Sequence, residues 1–326
     1  MILPYYMRLL CLCFATFLVV HALSWLVVRS LSSTAVKIAE TMRPRMSSRL
    51  LFGLRMAPVA VTLLLVLGFC VPSYVWLEPK VSGERVGLAC LLAAVIGGSV
   101  WTISLLRAVA SVIRTERYVR RRCLSDRRGE VPQTGPDVLV VNDTNPVMAV
   151  AGVVHPRLVV SQAVIDALSD EQREAAFRHE VAHRTSRDNL KKLLFLLSPD
   201  VLPFAAGLAN LERSWAKFTE WAADDEAVGG DHDRALSLAA ALVRVAKLGV
   251  QPAPSYLLSS LMDDDRDLEA RVERLLRVPA YAEKRLQPMM SLTRNAAVVI
   301  GSVIMTLLLW PESLGGIHRL LEHLIQ

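Results

Sequence analysis

The sequence predicts a mainly α membrane protein: four transmembrane helices, with an α+β domain inserted between the third and the fourth. Three observations carry this. Hydrophobic residues make up 53% of the chain and mean hydropathy is +0.37, with apolar runs long enough to span a bilayer. The net charge is +6, yet the arginines cluster beside the apolar runs instead of coating a surface. Between about residues 129 and 294 the apolar runs give way to short strand-like stretches and amphipathic helices.

The first span is Leu9 to Val28. Ala22-Leu23-Ser24 resembles a signal cleavage site, but the charge lies on the wrong side for a signal peptide. Only Arg8 precedes the span, whereas Arg29, Lys37, Arg43, Arg45, Arg49 and Arg55 follow it. The positive-inside rule therefore puts the N-terminus outside and the loop from Arg29 to Met56 in the cytoplasm. Ala57 to Leu77 is the second span, with Trp76 at an interface position, and Val86 to Ile113 holds the third. The arginines from Arg114 to Arg128 read as a topology signal in contact with anionic lipid, and no direct nucleic-acid binding is expected. Ala296 to Trp310 is the fourth span, near the short limit. The expected units are residues 1–128 (membrane region), 129–294 (cytoplasmic domain) and 295–326 (last span with a short external tail). The five cysteines show neither paired nor metal-ligand spacing, so disulfides and cysteine-bound zinc are not expected.

Within the domain, Val138 to Val141, Pro146 to Val154 and Arg157 to Ser161 read as short strands. A helix follows from Asp170 to about Arg187. Ser169 and Gln172 have the spacing of a capping box, and acids fill the first turn. Leu193 to Leu211 is apolar but broken by Pro199, Asp200 and Pro203, and reads as a hairpin on the domain or at the membrane surface. A helix over Leu208 to Val228 stops at Gly229-Gly230. Asp231 or Asp233 caps the next, which runs through Leu248. Asp263-Asp264-Asp265 lies in a solvated loop, and Leu268 to Val278 is a charged amphipathic helix.

The chemistry concentrates at His179-Glu180-Val181-Ala182-His183. Two histidines four apart project from one helix face, so both imidazoles reach one zinc ion. Glu180, beside the first, is placed to deprotonate a water activated by the metal. A third protein ligand is needed. Glu220 is the best candidate, with Asp224 four residues on; one would bind zinc while the other accepts a proton from a ligand imidazole. Taken alone, that acidic pair is a solvated helix face, and the histidine motif reverses the judgement. His155 and His232 are weaker rivals as ligands. Asp188 is placed to brace a ligand from beyond the helix.

The run Asn145 to Gly152, then Pro156 to Ser161, the motif with Asp188, Glu220 to Asp224, and Leu268 to Leu276 together resemble the membrane-integrated gluzincins. Two types compete: BlaR/MecR-type metallopeptidases, which place the zinc domain between the third and fourth spans, and HtpX/Ste24-type proteases. The span arrangement favours the former. The resemblance implies a gluzincin-type zinc peptidase domain with one Zn²⁺ per chain, held by His179, His183 and Glu220. It implies Glu180 as general base, with Asp224 and Asp188 behind the ligands. Val150, Ala151 and Gly152, on a strand with a free edge, would bind an extended substrate by β-addition. The oxyanion stabiliser is open, with His232 and Arg271 as weak candidates. The chain departs from beta-lactam-sensing members in lacking the large external C-terminal sensor.

These features set the expectations for function. The leading one is an endopeptidase in the bacterial inner membrane, its domain cytoplasmic, cutting a protein substrate such as a transcriptional repressor, with the signal coming through a separate sensor subunit. The second is a signalling protein that binds a regulator without cutting it; an intact His-Glu-His set argues against this. A transporter has little support, because the spans hold few ionisable residues, His21 and Arg107 being the nearest to intramembrane.

Overall fold

The computed structural model describes residues 4–77, 86–125, 138–141, 146–200, 208–249, 257–260 and 268–277. Helix α1 runs Tyr5–Glu40 and α2 Pro44–Leu65; a π-helical turn, Val66–Cys70, joins α2 to α3, Val71–Leu77. Helix α4 spans Leu88–Ser125. Strands β1 (Val138–Val141), β2 (Met148–Ala151) and β3 (Arg157–Ser161) lead into α5 (Gln162–Ala167), α6 (Asp170–Ser186) and α7 (Asp188–Leu197). Then come α8 (Ala209–Val228), α9 (His232–Lys247), β4 (Leu258–Ser260) and α10 (Leu268–Leu276).

Among the described residues, three helical segments are long and apolar enough to cross a membrane: Tyr5–Glu40, Pro44–Leu77 and Leu88–Arg121. They coincide with the first three expected spans. The fourth, Ala296 to Trp310, lies outside the described residues. Each helix runs well past its apolar stretch, so α1 and α2 form a hairpin that continues beyond the expected bilayer to meet α8. Trp25, Leu51, Phe195, Leu211, Trp215 and Phe218 are buried together there. Inside the bundle α1 and α4 touch closely, since a Cβ on Gly97 would collide with the Phe14 carbonyl oxygen.

The sheet has the order β1-β3-β2-β4, with β1 parallel to β3 and the other two pairs antiparallel. Strands β1 and β2 read as continuous apolar runs, and β3 is apolar at its centre, because both faces of the sheet are covered. Met148, Val150, Leu158 and Val160 pack against Ala175, Ala176, Leu238, Leu242 and Leu275 of α6, α9 and α10. On the other face Ala149, Ala151 and Val159 meet Val119, near the end of α4.

The apolar segment after the motif is described up to Asp200 and again from Leu208. Its first half is α7. Pro199 and Asp200 then reach the first span, where His21 Nε2 lies 2.8 Å from the Pro199 carbonyl and Trp25 Nε1 donates to Asp200 Oδ1 at 3.2 Å. Arg55, only 2% exposed, donates to Ser198 Oγ (2.9 Å) and pairs with Glu212 (2.7 Å) and Asp200 (3.6 Å). Of the residues that break this stretch, Pro199 and Asp200 are thus held by polar residues of α1 and α2. α7 ends at Leu197, two residues before Pro199, whose ring and missing N–H do not continue a helix; the remainder of the expected hairpin, residues 201–207, lies outside the described residues.

Candidate metal centre

Helix α6 is built to hold its motif in place. Ser169 Oγ accepts from Gln172 N and the Gln172 side chain accepts from Ser169 N, the reciprocal cap expected from the sequence. At the other end Arg187 takes φ 54°, ψ 43°, a left-handed conformation that side-chain-bearing residues seldom adopt. That single residue closes α6 and starts α7, which folds Asp188 back under His183.

His179 and His183 are fully or almost fully buried, and Glu220 of α8 faces them. The two Nε2 atoms are 3.0 Å apart. Glu220 Oε2 lies 3.4 Å from His179 Nε2, and Oε1 the same distance from His183 Nε2. Behind the rings, His183 Nδ1 meets Asp188 Oδ2 at 2.8 Å and His179 Nδ1 lies 2.9 Å from Asp224 Oδ1. A carboxylate behind each ring draws its proton to Nδ1, so both Nε2 lone pairs converge on one point. Two lone pairs at 3.0 Å repel unless a cation or proton lies between them. Tetrahedral ligand atoms around zinc, at about 2.0–2.1 Å from the ion, sit roughly 3.3 Å from each other. The donor set therefore fits zinc in both chemistry and spacing.

Glu180 is completely buried on the same helix, and its charge helps to keep the Arg271 guanidinium protonated. Arg271 comes from α10 and is the participant that sequence reading underrated. Its Nε and Nη2 donate to Asp224 Oδ2 and Oδ1 at 2.9 and 2.7 Å, and Nη1 lies 3.0 Å from Glu220 Oε2. The bidentate fork fixes the carboxylate behind His179 and borders Glu220. Arg271 is thus engaged by Asp224 and Glu220 beside the two histidines, and His232 is exposed at the start of α9. His155 is exposed in the β2–β3 turn, and the cluster among the described residues comprises His179, His183 and Glu220 without it.

Charge balance in the cluster follows from these contacts. Burial raises the Glu220 and Asp224 carboxyls, but the cations around them win: Glu220 is held well below the usual range by His183 and Arg271, and Asp224 falls to about 2 beside Arg271 and His179. Burial lowers the His183 imidazole, yet Glu220 and Asp188 raise it well above the ordinary histidine value. His179 is raised against burial by Asp224 and Glu220.

One expectation needs correction. Val150, Ala151 and Gly152 were expected on a strand with a free edge. Instead β2 is an interior strand: Ala149, Val150 and Ala151 stand opposite Ser260, Ser259 and Leu258 of β4. Asn189 Nδ2 also donates to the Val150 and Gly152 carbonyls, at 2.9 and 3.0 Å. Three residues with two serines gave β4 no strand signal, and the polar Asn189 next to Asp188 was equally silent in the sequence.

Residues 114–252 match the family model of peptidase family M48. Over this stretch the chain is similar to M48 peptidase domains. It contains α6 and α8, and so His179, Glu180, His183, Glu220 and Asp224; α10 with Arg271 lies past its end. M48 peptidases are zinc-dependent metallopeptidases, in agreement with the donor set. No curated protein matches the chain significantly.

Proposed function

We propose that the chain is a membrane-integrated zinc endopeptidase cutting a cytoplasmic or membrane-proximal protein in regulatory signalling, its zinc domain on the cytoplasmic side. One observation supports it above others: a buried acid, Glu180, stands on the same helix as two imidazoles whose Nε2 atoms converge with Glu220. A scaffold that only binds has no use for a carboxylate there.

On this reading His179, His183 and Glu220 hold one Zn²⁺, which when bound acidifies a water and polarises the scissile carbonyl. Glu180 takes the water's proton on its carboxylate and delivers it to the amide nitrogen as the C–N bond breaks, leaving an acid and an amine. Asp188 and Asp224 hold the Nδ1 protons of His183 and His179, and Arg271 keeps Asp224 oriented. Lipid surrounds the three spans. The arginines after the first and third spans favour a cytoplasmic domain, and three spans ahead of the zinc domain favour the BlaR/MecR type, with a repressor as substrate and a separate sensor subunit. Quality control of membrane proteins, as in the HtpX/Ste24 type, is the second reading, since both types share the matched domain.

Glu180→Gln is the test. Glutamine keeps the side-chain size but cannot accept the proton. Cleavage should fall by about 10²–10⁴-fold while zinc stays bound. A Glu180→Gln chain that supports the full cellular response would replace proteolysis by the scaffold reading.

A further inference from the structure

Strand β2 has two hydrogen-bonding sides. Val147 O accepts from Ser161 N at 2.8 Å, so Val147, Ala149 and Ala151 turn their main-chain groups toward β3. Met148, Val150 and Gly152 turn theirs the other way. That outer side is where an extended polypeptide would add to the sheet. The molecule fills it with its own chain, since β4 runs antiparallel along it with Ser259 opposite Val150.

The filled edge is coupled to the metal centre. Asn189, which donates to the Val150 and Gly152 carbonyls, adjoins Asp188, the partner of His183. β4 packs against α6, the helix of both histidines. Leu257, just before β4, is wholly buried, and with Gly152 and the α4 residues Val112, Thr115 and Val119 it lines a groove of about 550 Å³.

We infer that Leu258–Ser260 is a built-in occupant of the substrate edge: the resting molecule is autoinhibited, and an extended polypeptide binds by replacing β4 on β2. This rests on the peptidase reading above. A substrate that pairs with Val150 takes the place β4 holds, which an unstructured chain can do and a folded one cannot.

Two variants of the full-length, zinc-loaded chain test it, with fluorescein-labelled casein as an unstructured probe. Ser259→Pro removes the N–H at the residue opposite Val150 and should raise hydrolysis about tenfold, because the open fraction sets the apparent affinity. Ala151→Cys with Leu258→Cys, in a background with the five native cysteines replaced, joins residues that stand opposite in register. The oxidised form should lose hydrolysis and reductant should restore it. Casein binding to the same pair carrying Glu180→Gln is read in parallel, and oxidation should weaken it at least about tenfold. Equal rates for Ser259→Pro and the native chain, or equal affinity of the oxidised and reduced pair, would overturn the autoinhibition. Absence of hydrolysis in every form, with zinc bound, would instead sink the peptidase reading, and the binding arm would still decide the strand.

Discussion

His183 Nδ1 and Asp188 Oδ2 lie 2.8 Å apart across a turn closed by Arg187, the one non-glycine residue with positive φ among those described. Asp188 is itself steadied by Lys191 Nζ at 2.7 Å. Asp188→Asn keeps the shape of the side chain but lets an amide present N–H or C=O to the ring, loosening its tautomer. Zinc affinity should fall by about 10–100-fold, read by competition with a chromophoric chelator.

Arg187 carries the turn at a conformational cost. Its left-handed backbone is one that glycine adopts freely and a β-branched residue resists. Arg187→Gly should hold or slightly raise the melting temperature, and Arg187→Val should destabilise by about 1–2 kcal/mol. The reverse order in a thermal scan would show that the turn is not strained.

Glu220→Gln should separate from Glu180→Gln. A neutral amide is a poorer zinc ligand than a carboxylate, so metal content after dialysis should drop along with activity. Retention of one zinc per chain by Glu220→Gln would remove Glu220 from the ligand set.

Acid and base act on the metal-free centre in opposite directions. Glu220 and Asp224 have depressed pKa values, so their contribution to stability is present above the unfolded values of 4.5 and 3.8 and is lost as pH falls, for Asp224 through about 2. His179 and His183 have raised values, so theirs is complete below 6.5 and is lost as pH rises through the folded values. Chelator-treated protein should therefore be most stable between about pH 4.5 and 6.5. Zinc binding requires neutral imidazoles, so it should release protons and strengthen with pH. Calorimetry in buffers of different ionisation enthalpy measures that release.

Arg55 joins α2 to Ser198 and Asp200 after α7 and to Glu212 in α8. Arg55→Leu leaves Glu212 and Asp200 without their cation and Ser198 without its donor. The loss should be about 2–4 kcal/mol, the low side of the buried-pair range because Asp200 is 37% exposed. Glu212→Leu added to Arg55→Leu should recover part of it, as judged by thermal unfolding in detergent.

The sequence foretold most of what periodicity and capping encode. Strands β1 and β3 and helices α6, α8 and α9 fall where hydrophobic pattern, Ser169, Gly229 and Asp231 put them. His179, His183 and Glu220 meet because helical spacing fixes two of them and the paired acids on α8 suggested the third. What escaped depended on tertiary partners. α7 was hidden because its apolar residues run on into Pro199. β4 exists only because β2 offers an edge. Arg271 looked like one more basic residue on a charged helix, and only the buried Asp224 gives it a place.

The π-helical turn Val66–Cys70 acts as a phase adjuster within the second span. Before it, Ser48 and Leu51 face α8 and Arg55 meets Ser198 and Glu212; at its end and beyond it, Cys70 and Tyr74 face Tyr5 and Leu12 of α1. Each residue of an α-helix advances the face by about 100°, so one residue of slack decides which neighbours the two halves can satisfy together. Deleting a single residue there would return the segment to a plain α-helix. Either the tyrosine pair at one end or Arg55 at the other would then turn away from its partners. The second span is thus tuned to two partners at once, and its tuning resides in one turn.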